Sequence, residues 1–462
     1  MGGLPKRATL LQENPGENRL LIDGGDLLFT AEKVSNPTRL AQEKITAQAI
    51  ISAYNILGYE AVAVGRRDLT GGLPFLNELA KAAKFPFLSA NLVDRGGKTI
   101  FPASTIINRA GLKVAIMALT SPSAPPRPGY QINKWQESLP PLVAKLKRKS
   151  DILILLSNLK PTINQEIARQ HQEIHLIIQS GQGSGKMAPR LVNNSLLSQS
   201  GKEGKYIGEL KIRWSDSGRW QKKGESLLAK RQEMDRLNWQ IKRLERRGDP
   251  AQVYKDAPQT YSHYKRLKGQ VAELKGEITR LSSKKKQKKN PPATYTARQM
   301  AISSSLRDEP EIRQLLERHK RLAGQIKPAR GQKNQQQGQG LKKYLGSRGC
   351  KPCHSEIFTA WQETAHARAM ASLTRKGQEK NMKCVHCHVT GLEAETAQLA
   401  QSLPADLRQV GCEACHGPGR SHGLAPDKVK MAGTVKESRC LQCHSAEHDD
   451  DFNFQRDSQL IH

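Results

Sequence analysis

The sequence predicts a multidomain chain. An α/β layered sandwich is expected over residues 1–220 and a central α-helical hairpin of coiled-coil type over 221–330. A Gln/Gly-rich linker over 331–340 then leads into a mainly α domain over 341–462. Three observations predict this. Before residue 220, apolar runs alternate with amphipathic stretches. Between Leu227 and Ile326, apolar residues recur at spacings of three and four. After residue 341 large apolar residues become scarce, while a five-residue cysteine motif occurs four times.

In the first section, Leu20-Leu-Ile-Asp-Gly-Gly-Asp26 reads as a buried strand running into a turn, and Thr46 to Leu57 has helical spacing. Ala61–Val64, Phe85–Leu88, Val114–Ala118, Ile152–Leu156 and Ile174–Ile178 continue a series of short apolar runs. Strands separated by helical stretches predict a layered α/β domain.

Four groups of residues here resemble the calcineurin-like metallophosphoesterases, and within them the periplasmic 5′-nucleotidases. They are Gly25-Asp26, Tyr54-Asn-Ile-Leu-Gly-Tyr59, Gly65-Arg-Arg-Asp68 and Ser89-Ala-Asn-Leu92. The resemblance implies a metallophosphoesterase-like sandwich in which two metals clamp the attacking and leaving oxygens of a phosphoester. By that resemblance Asp26 stands for the bridging aspartate and Asp68 for the acid of the third motif. Arg66 and Arg67, however, stand where asparagine and histidine would ligate metal. Asn158 replaces an expected histidine, and Gln179-Ser-Gly-Gln-Gly183 replaces the final Gly-His-x-His. The opening Asp-x-His strand is absent. Guanidinium groups repel a cation, so the expectation is a degenerate scaffold that is catalytically inactive. A retained anion site near the two arginines is the sharper alternative, since arginine suits phosphate and carboxylate.

The middle section carries its apolar stripe on Leu227, Met234, Leu237, Ile241 and Leu244. Tyr264, Leu267, Val271, Leu274, Ile278 and Leu281 continue it, followed by Ile312, Leu315, His319, Leu322 and Ile326. Spacings of three and four mark a helical seam; Gly248-Asp-Pro250 and Asn290-Pro-Pro292 interrupt it. The expected arrangement is a hairpin with a third helix returning alongside. The whole chain has 74 Lys and Arg against 43 Asp and Glu, a net charge of +31. Residues 221–340 supply +17 of it, 29 basic against 12 acidic, with Lys284-Lys-Lys-Gln-Lys-Lys289 the densest cluster. A solvated helical face explains such charge. Docking to an acidic redox partner protein or to an anionic membrane surface is the functional alternative.

The last section holds Cys350-Lys-Pro-Cys353-His354, Cys384-Val-His-Cys387-His388, Cys412-Glu-Ala-Cys415-His416 and Cys440-Leu-Gln-Cys443-His444. Together they use all eight cysteines. Cys-x-x-Cys-His is the attachment signature of c-type haem: two thiols bond the porphyrin and the following histidine becomes the proximal iron ligand. Zinc also takes Cys-x-x-Cys pairs, but a zinc site gives no reason for a histidine after every second cysteine. Disulfides across two residues are confined to redox motifs. Four covalent haems are therefore expected, with His354, His388, His416 and His444 proximal. The motifs begin 34, 28 and 28 residues apart. A stretch this poor in large apolar residues should struggle to form a core alone, so the domain should fold around its cofactors.

Lys343-Tyr-Leu-Gly346, Trp361 through His366, Cys387-His-Val-Thr-Gly391 and the run Val410–Gly419 with His422 resemble tetrahaem cytochromes c of the c-554 type. The resemblance implies a haem-packed electron-transfer module. Candidate distal ligands are His366, placed on a helix begun by Ser355, with His422 and His462; the likeness supports all three. His448 and Met370 are fallbacks, and His386, inside a motif, is not expected to ligate. Three distal histidines for four haems leave one iron open, which would permit nitrogen- or sulfur-oxide redox chemistry. Covalent haem attachment is expected outside the cytoplasm, in the periplasm or beyond. That argues against a nucleic-acid partner. Residues 1–7 show no signal peptide, so the start is expected to lie upstream. No stretch of eighteen apolar residues is present, so no membrane-spanning helix is predicted.

Overall fold

The computed structural model describes residues 3–122, 128–181, 187–201, 204–221, 227–245, 248–255, 257–283, 291–303, 305–326, 341–391, 400, 403–445, 449 and 451–461. His448, His462, Lys284–Lys289, Gly183 and the linker 331–340 lie outside the described residues, as do the side chains of Leu227 and Leu281.

Two sheets organise the N-terminal region. The larger runs in the order Met187–Val192, Ser195–Gln199, Leu176–Gln179, Ile152–Ser157, Leu112–Leu119, Ser104–Arg109. Its four central strands pair in parallel, and the outer strand at each edge is antiparallel. Every residue of Ile152–Ser157 is buried, as expected of a strand covered on both faces. Three short parallel strands, Ile22–Asp23, Ala61–Ala63 and Phe87–Leu88, form the second sheet.

Helix Pro37–Leu57 packs beside that second sheet. It starts where Asn36 accepts the Arg39 N–H and proline occupies the first turn, and it stops at Gly58, whose φ of 76° suits glycine. All the strands expected from apolar runs are present. The first is only two residues long because Gly24-Gly25-Asp26 turns away: Gly25 has φ 86° and no room for a Cβ against the Ala63 carbonyl.

The basic helices Leu227–Glu245 and Pro258–Ser283 lie against each other through Leu237, Ile241, Leu267, Val271 and Leu274, edged by Met234, Leu244 and Tyr264. Glu245 accepts from Lys268 at 3.2 Å, and Lys230 pairs with Glu277. This pair leaves and rejoins one β-ribbon, Tyr206–Arg213 with Thr294–Ala301, in continuous antiparallel register.

The expected third helix does not return alongside the hairpin. Pro310–Gln325 lies instead against Pro37–Leu57, with Ile312 and Leu316 inside the N-terminal core. The ribbon carries the chain back to that core, and the buried face is Ile312, Leu316 and Ala323; Leu322 is exposed.

The C-terminal region is built of short helices, Ser347–Cys350, Ser355–Gln362, Ala369–Thr374, Met382–His388, Cys412–His416, Arg420–Leu424, Glu437–Cys440 and Phe454–Asp457. One small apolar cluster joins Leu373, Met382, Val385, Val389, Ala400, Leu403 and Leu407. Beyond Leu407 no apolar side chain among the described residues is buried. None of the helices among the described residues is long and apolar enough to cross a membrane.

Candidate functional site

Each cysteine motif occupies one helical turn. The second and third lie within helices Met382–His388 and Cys412–His416. The first and fourth close with His354 N–H on the Cys350 carbonyl at 3.0 Å and His444 N–H on the Cys440 carbonyl at 2.8 Å. A turn of this kind places residues three and four apart on one face, so both thiols and the histidine of a motif share a side. All eight thiols are free of disulfides. Motifs meet in pairs: the Cys350 thiol lies beside that of Cys412, and the Cys387 thiol beside that of Cys443.

The histidines are held in one tautomer. Nδ1 of His388 lies 2.8 Å from the Ala369 carbonyl and Nδ1 of His416 lies 2.7 Å from the Ala432 carbonyl. A carbonyl only accepts, so each Nδ1 carries the proton and Nε2 the lone pair. In His444 Nδ1 lies 2.7 Å from the Asp449 carboxylate. Fixing the outer nitrogen in this way is what orients an imidazole toward a metal. His422 shows the same arrangement, Nδ1 being 2.6 Å from the Val429 carbonyl. His354 is exposed at the start of Ser355–Gln362. His386 points back along its own helix, with Nδ1 3.2 Å from the Met382 carbonyl.

His366 is not on the helix begun by Ser355. That helix ends at Gln362, where Thr364 folds its N–H and its hydroxyl back onto the Trp361 carbonyl. The following turn brings the His366 ring to 5.8 Å from the His444 ring, at an interplanar angle of 85°. Burial, then the His444 and His388 imidazoles, push His366 below its usual pKa, which keeps its lone pair available. Met370 packs against the small apolar cluster instead.

These residues fit covalent haem. Four helical turns each offer two thiols and an imidazole. The last two stand in a stretch with no buried apolar side chain among the described residues, while Leu424, Leu441 and Leu460 there are exposed.

Two functional positions escape a reading of the sequence. Glu413, inside the third motif, is buried and accepts the N–H groups of Leu345, Gly346 and Gly419 at 2.8, 2.8 and 2.6 Å. It thereby ties the approach to the first motif to the turn preceding His422. An acidic residue between two motif cysteines, beside glycine-rich turns, is the available signal. Gln42, in the N-terminal region, is the other.

The structure does bring Asp26 and Asp68 together. Asp68 is fully buried and accepts the N–H groups of Asp26, Leu27, Leu28 and Gly65 at 2.7–2.8 Å. Burial and the Asp26 carboxylate push Asp68 up to about 7, against the pull of those N–H donors. Asp26 accepts the Arg67 N–H at 2.9 Å and lies 3.9 Å from its guanidinium. Arg66 pairs with Glu32 at 3.0 Å. The Asn158 amide donates to the Gly24 carbonyl at 2.5 Å and to the Ser180 hydroxyl at 2.9 Å. Gly181 leaves no room for a Cβ beside Asp26. No group of three or more His, Cys, Asp or Glu able to hold a metal ion occurs among the described residues. The described residues therefore do not by themselves supply the ligand set of a two-metal centre.

Comparison with known proteins places both ends. The family described as cytochrome c554 and c-prime matches residues 349–417. Cytochrome c-554 of Nitrosomonas europaea is 30% identical over 134 residues, covering 26% of this chain and 57% of that protein. An uncharacterized metallophosphoesterase of Bacillus subtilis, YunD, is 27% identical over 206 residues, 43% of each chain. The solved 5′-nucleotidase precursor of Thermus thermophilus aligns over 47% of this chain and 46% of its own, with 22% identity and a TM-score of 0.39. The chain thus spans less than two thirds of the curated relatives it matches. A cytochrome c554-type region follows a region homologous to calcineurin-like metallophosphoesterases and 5′-nucleotidases.

Proposed function

We propose that this protein is an exported electron carrier holding four c-type haems, joined to a phosphoesterase-like domain that no longer hydrolyses its family's substrates. The carrying observation is the set of four Cys-x-x-Cys-His turns in a region with almost no core of its own. When bound, the haems supply one-electron transfer, and the chain sets their spacing, ligation and access. Cys350, Cys353, Cys384, Cys387, Cys412, Cys415, Cys440 and Cys443 would hold them by thioether bonds, with His354, His388, His416 and His444 beneath. His422 is proposed as a distal ligand from its fixed tautomer, and His366 as the distal partner of His444 from their 5.8 Å separation. His462 is proposed from the family resemblance alone.

The loss of hydrolysis is read from Arg66 and Arg67 at ligand positions and from the hydrogen bonds that already occupy Asp26 and Asp68. The neighbouring carboxylates weigh against a retained anion site, since Glu32 stands beside one guanidinium and Asp26 beside the other. The excess of positive charge suits an acidic redox partner and, at the hairpin, an anionic membrane surface. Export to the periplasm is proposed from the attachment chemistry.

Mass spectrometry of protein from its native host tests the reading. Four haem masses above the polypeptide mass are expected; the bare polypeptide mass would end it. A second reading, an oxidoreductase acting on a small nitrogen or sulfur compound at an open iron, rests on the count of candidate distal histidines, three for four motifs. Wholly low-spin EPR signals would remove it, and a high-spin signal altered by nitric oxide would favour it.

A further inference from the structure

The two ends of the chain meet at a seam of side-chain amides, and the seam falls on the helix that carries the second attachment motif. Gln42, on helix Pro37–Leu57, is buried at 3% exposure. Its amide donates to the Lys380 carbonyl at 2.8 Å and to the Ala323 carbonyl at 3.2 Å. Its carbonyl accepts the Met382 N–H at 3.0 Å. Met382 is the first residue of helix Met382–His388, so this N–H has no partner inside the helix.

The next N–H, that of Lys383, is capped by the Asn381 side chain at 3.1 Å. Asn381 in turn donates to the Gln378 side-chain carbonyl at 2.9 Å, and the Gln378 amide reaches the Lys320 carbonyl on helix Pro310–Gln325 at 3.0 Å. Both leading N–H groups of the motif helix are thus capped by side chains anchored on the phosphoesterase-like half. Gly324 approaches the Gly377 carbonyl too closely for any Cβ, which closes the seam between backbones.

We propose that Gln42 is a positioning residue for the second haem, so that the phosphoesterase-like domain is a structural component of that haem's site. The inference rests on the reading of the motifs as haem sites. A seven-residue helix has little stability of its own, and Cys384, Cys387 and His388 all lie on it. Fixing its first turn fixes where the thiols and the imidazole point. The opposite end is set by His388 on the Ala369 carbonyl, so the helix is held at both termini, once by each half of the protein. This gives the degenerate domain a role that needs no catalytic metal, only its α/β core and the glutamine buried at the seam.

The test uses the full-length haem-loaded protein with Gln42→Met, which keeps the side chain's length and removes its hydrogen bonds. Gly324→Ala serves as an independent wedge in the same seam, and Lys147→Ala, distant on an exposed helix end, as control. Haem content by mass comes first, because absent haem would overturn the reading of the motifs and not the seam. Given loaded protein, hydrogen exchange should accelerate at 382–388 and stay unchanged at the other three motifs. Haem-resolved potentiometry with EPR should show one haem shifted in midpoint and g-values and three unmoved. Selective loss of attachment at Cys384 and Cys387 in a peptide map would support the proposal equally. Four unmoved haems in both seam variants, or four that shift together, would overturn it. If Gln42→Met does not accumulate as folded protein, Gly324→Ala decides by the same readouts.

Discussion

The two ends of this molecule are opposites. The N-terminal region has a large apolar core, and among the described residues its site gathers no group of three metal ligands. The C-terminal region has four Cys-x-x-Cys-His turns around one small apolar cluster among the described residues. In the first, the side chains that hold the sheets together, such as Leu155, Ile116 and Met117, are distinct from any that would touch a metal. Arg66, Arg67 and Asn158, at the positions where the resemblance expects ligands, are therefore compatible with the fold: Arg66 pairs with Glu32, Arg67 lies beside Asp26, and the Asn158 amide donates to Gly24 and Ser180. In the second, the groups that would bind cofactor are also the groups around which the chain turns. A fold of the first kind can outlive its chemistry; one of the second kind cannot.

The largest expected effect follows from that difference. Replacing Cys440 and Cys443 together by alanine removes one proposed haem from a stretch with no buried apolar side chain among the described residues. We expect residues 408–461 to become protease-sensitive while the N-terminal region melts as before. Limited proteolysis read by mass spectrometry checks this. Intact protection of that stretch without the fourth haem would break the comparison, because it would mean the chain supplies a core of its own.

The converse substitution belongs in the sheet. Leu155 is fully buried in Ile152–Ser157, and Leu155→Ala should cost about 3 kcal/mol in lost burial and residual cavity. Urea unfolding followed by far-UV circular dichroism measures it. The haem absorption spectrum should not change below the unfolding transition.

His175 gives a pH-dependent effect of similar or slightly smaller size. It is buried, accepts the Leu153 N–H on Nδ1 at 3.0 Å, and packs edge-on against Trp214. Burial lowers its pKa to about 4, whereas an unfolded histidine titrates near 6.5. Between those values the unfolded chain binds a proton that the folded one refuses. Its contribution is whole above about pH 6.5 and is lost as pH falls toward 4, up to about 3 kcal/mol. His175→Asn keeps an acceptor for Leu153 and should flatten the slope of stability between pH 4 and 6.5; an unchanged slope would place the proton elsewhere.

What the sequence could show follows the same division. Apolar runs such as Ile152–Leu156 announce buried strands because the signal is local and repeated. The Cys-x-x-Cys-His motifs announce attachment because all the chemistry lies within five residues. The hairpin stripe through Leu237, Ile241, Leu267, Val271 and Leu274 is legible for the same reason. Helix Pro310–Gln325 is not: Ile312, Leu315, His319 and Leu322 make as good a stripe as Ile312, Leu316 and Ala323, and only the returning strand Thr294–Ala301 selects between them. Gln42 is illegible because its partners lie far away along the chain, and Glu413 leaves only the faint signal of an acid between two motif cysteines, its bonds to Leu345 and Gly346 being equally remote. The spacing puts His366 on the helix begun by Ser355, but Thr364 turns its hydroxyl back onto the Trp361 carbonyl, a local competition between side-chain and backbone bonding.

The smallest expected effect is a null, and it bears most directly on the N-terminal site. Asp26 and Asp68 are the two carboxylates left of a metal-binding pattern, and both are already engaged by backbone N–H groups, Asp26 with the Arg67 guanidinium beside it as well. A divalent cation arriving there would have to displace those donors and lie beside a guanidinium, with no histidine to help. Manganese or zinc added to the purified protein should therefore shift the melting of the N-terminal region by no more than about 1 °C, since stabilisation by a ligand scales with its occupancy. The same samples should show no metal-dependent release of phosphate from nucleoside monophosphates. A rise in melting temperature that Asp26→Asn abolishes would show that a working centre survives at this end, and the contrast between the two halves would have to be redrawn.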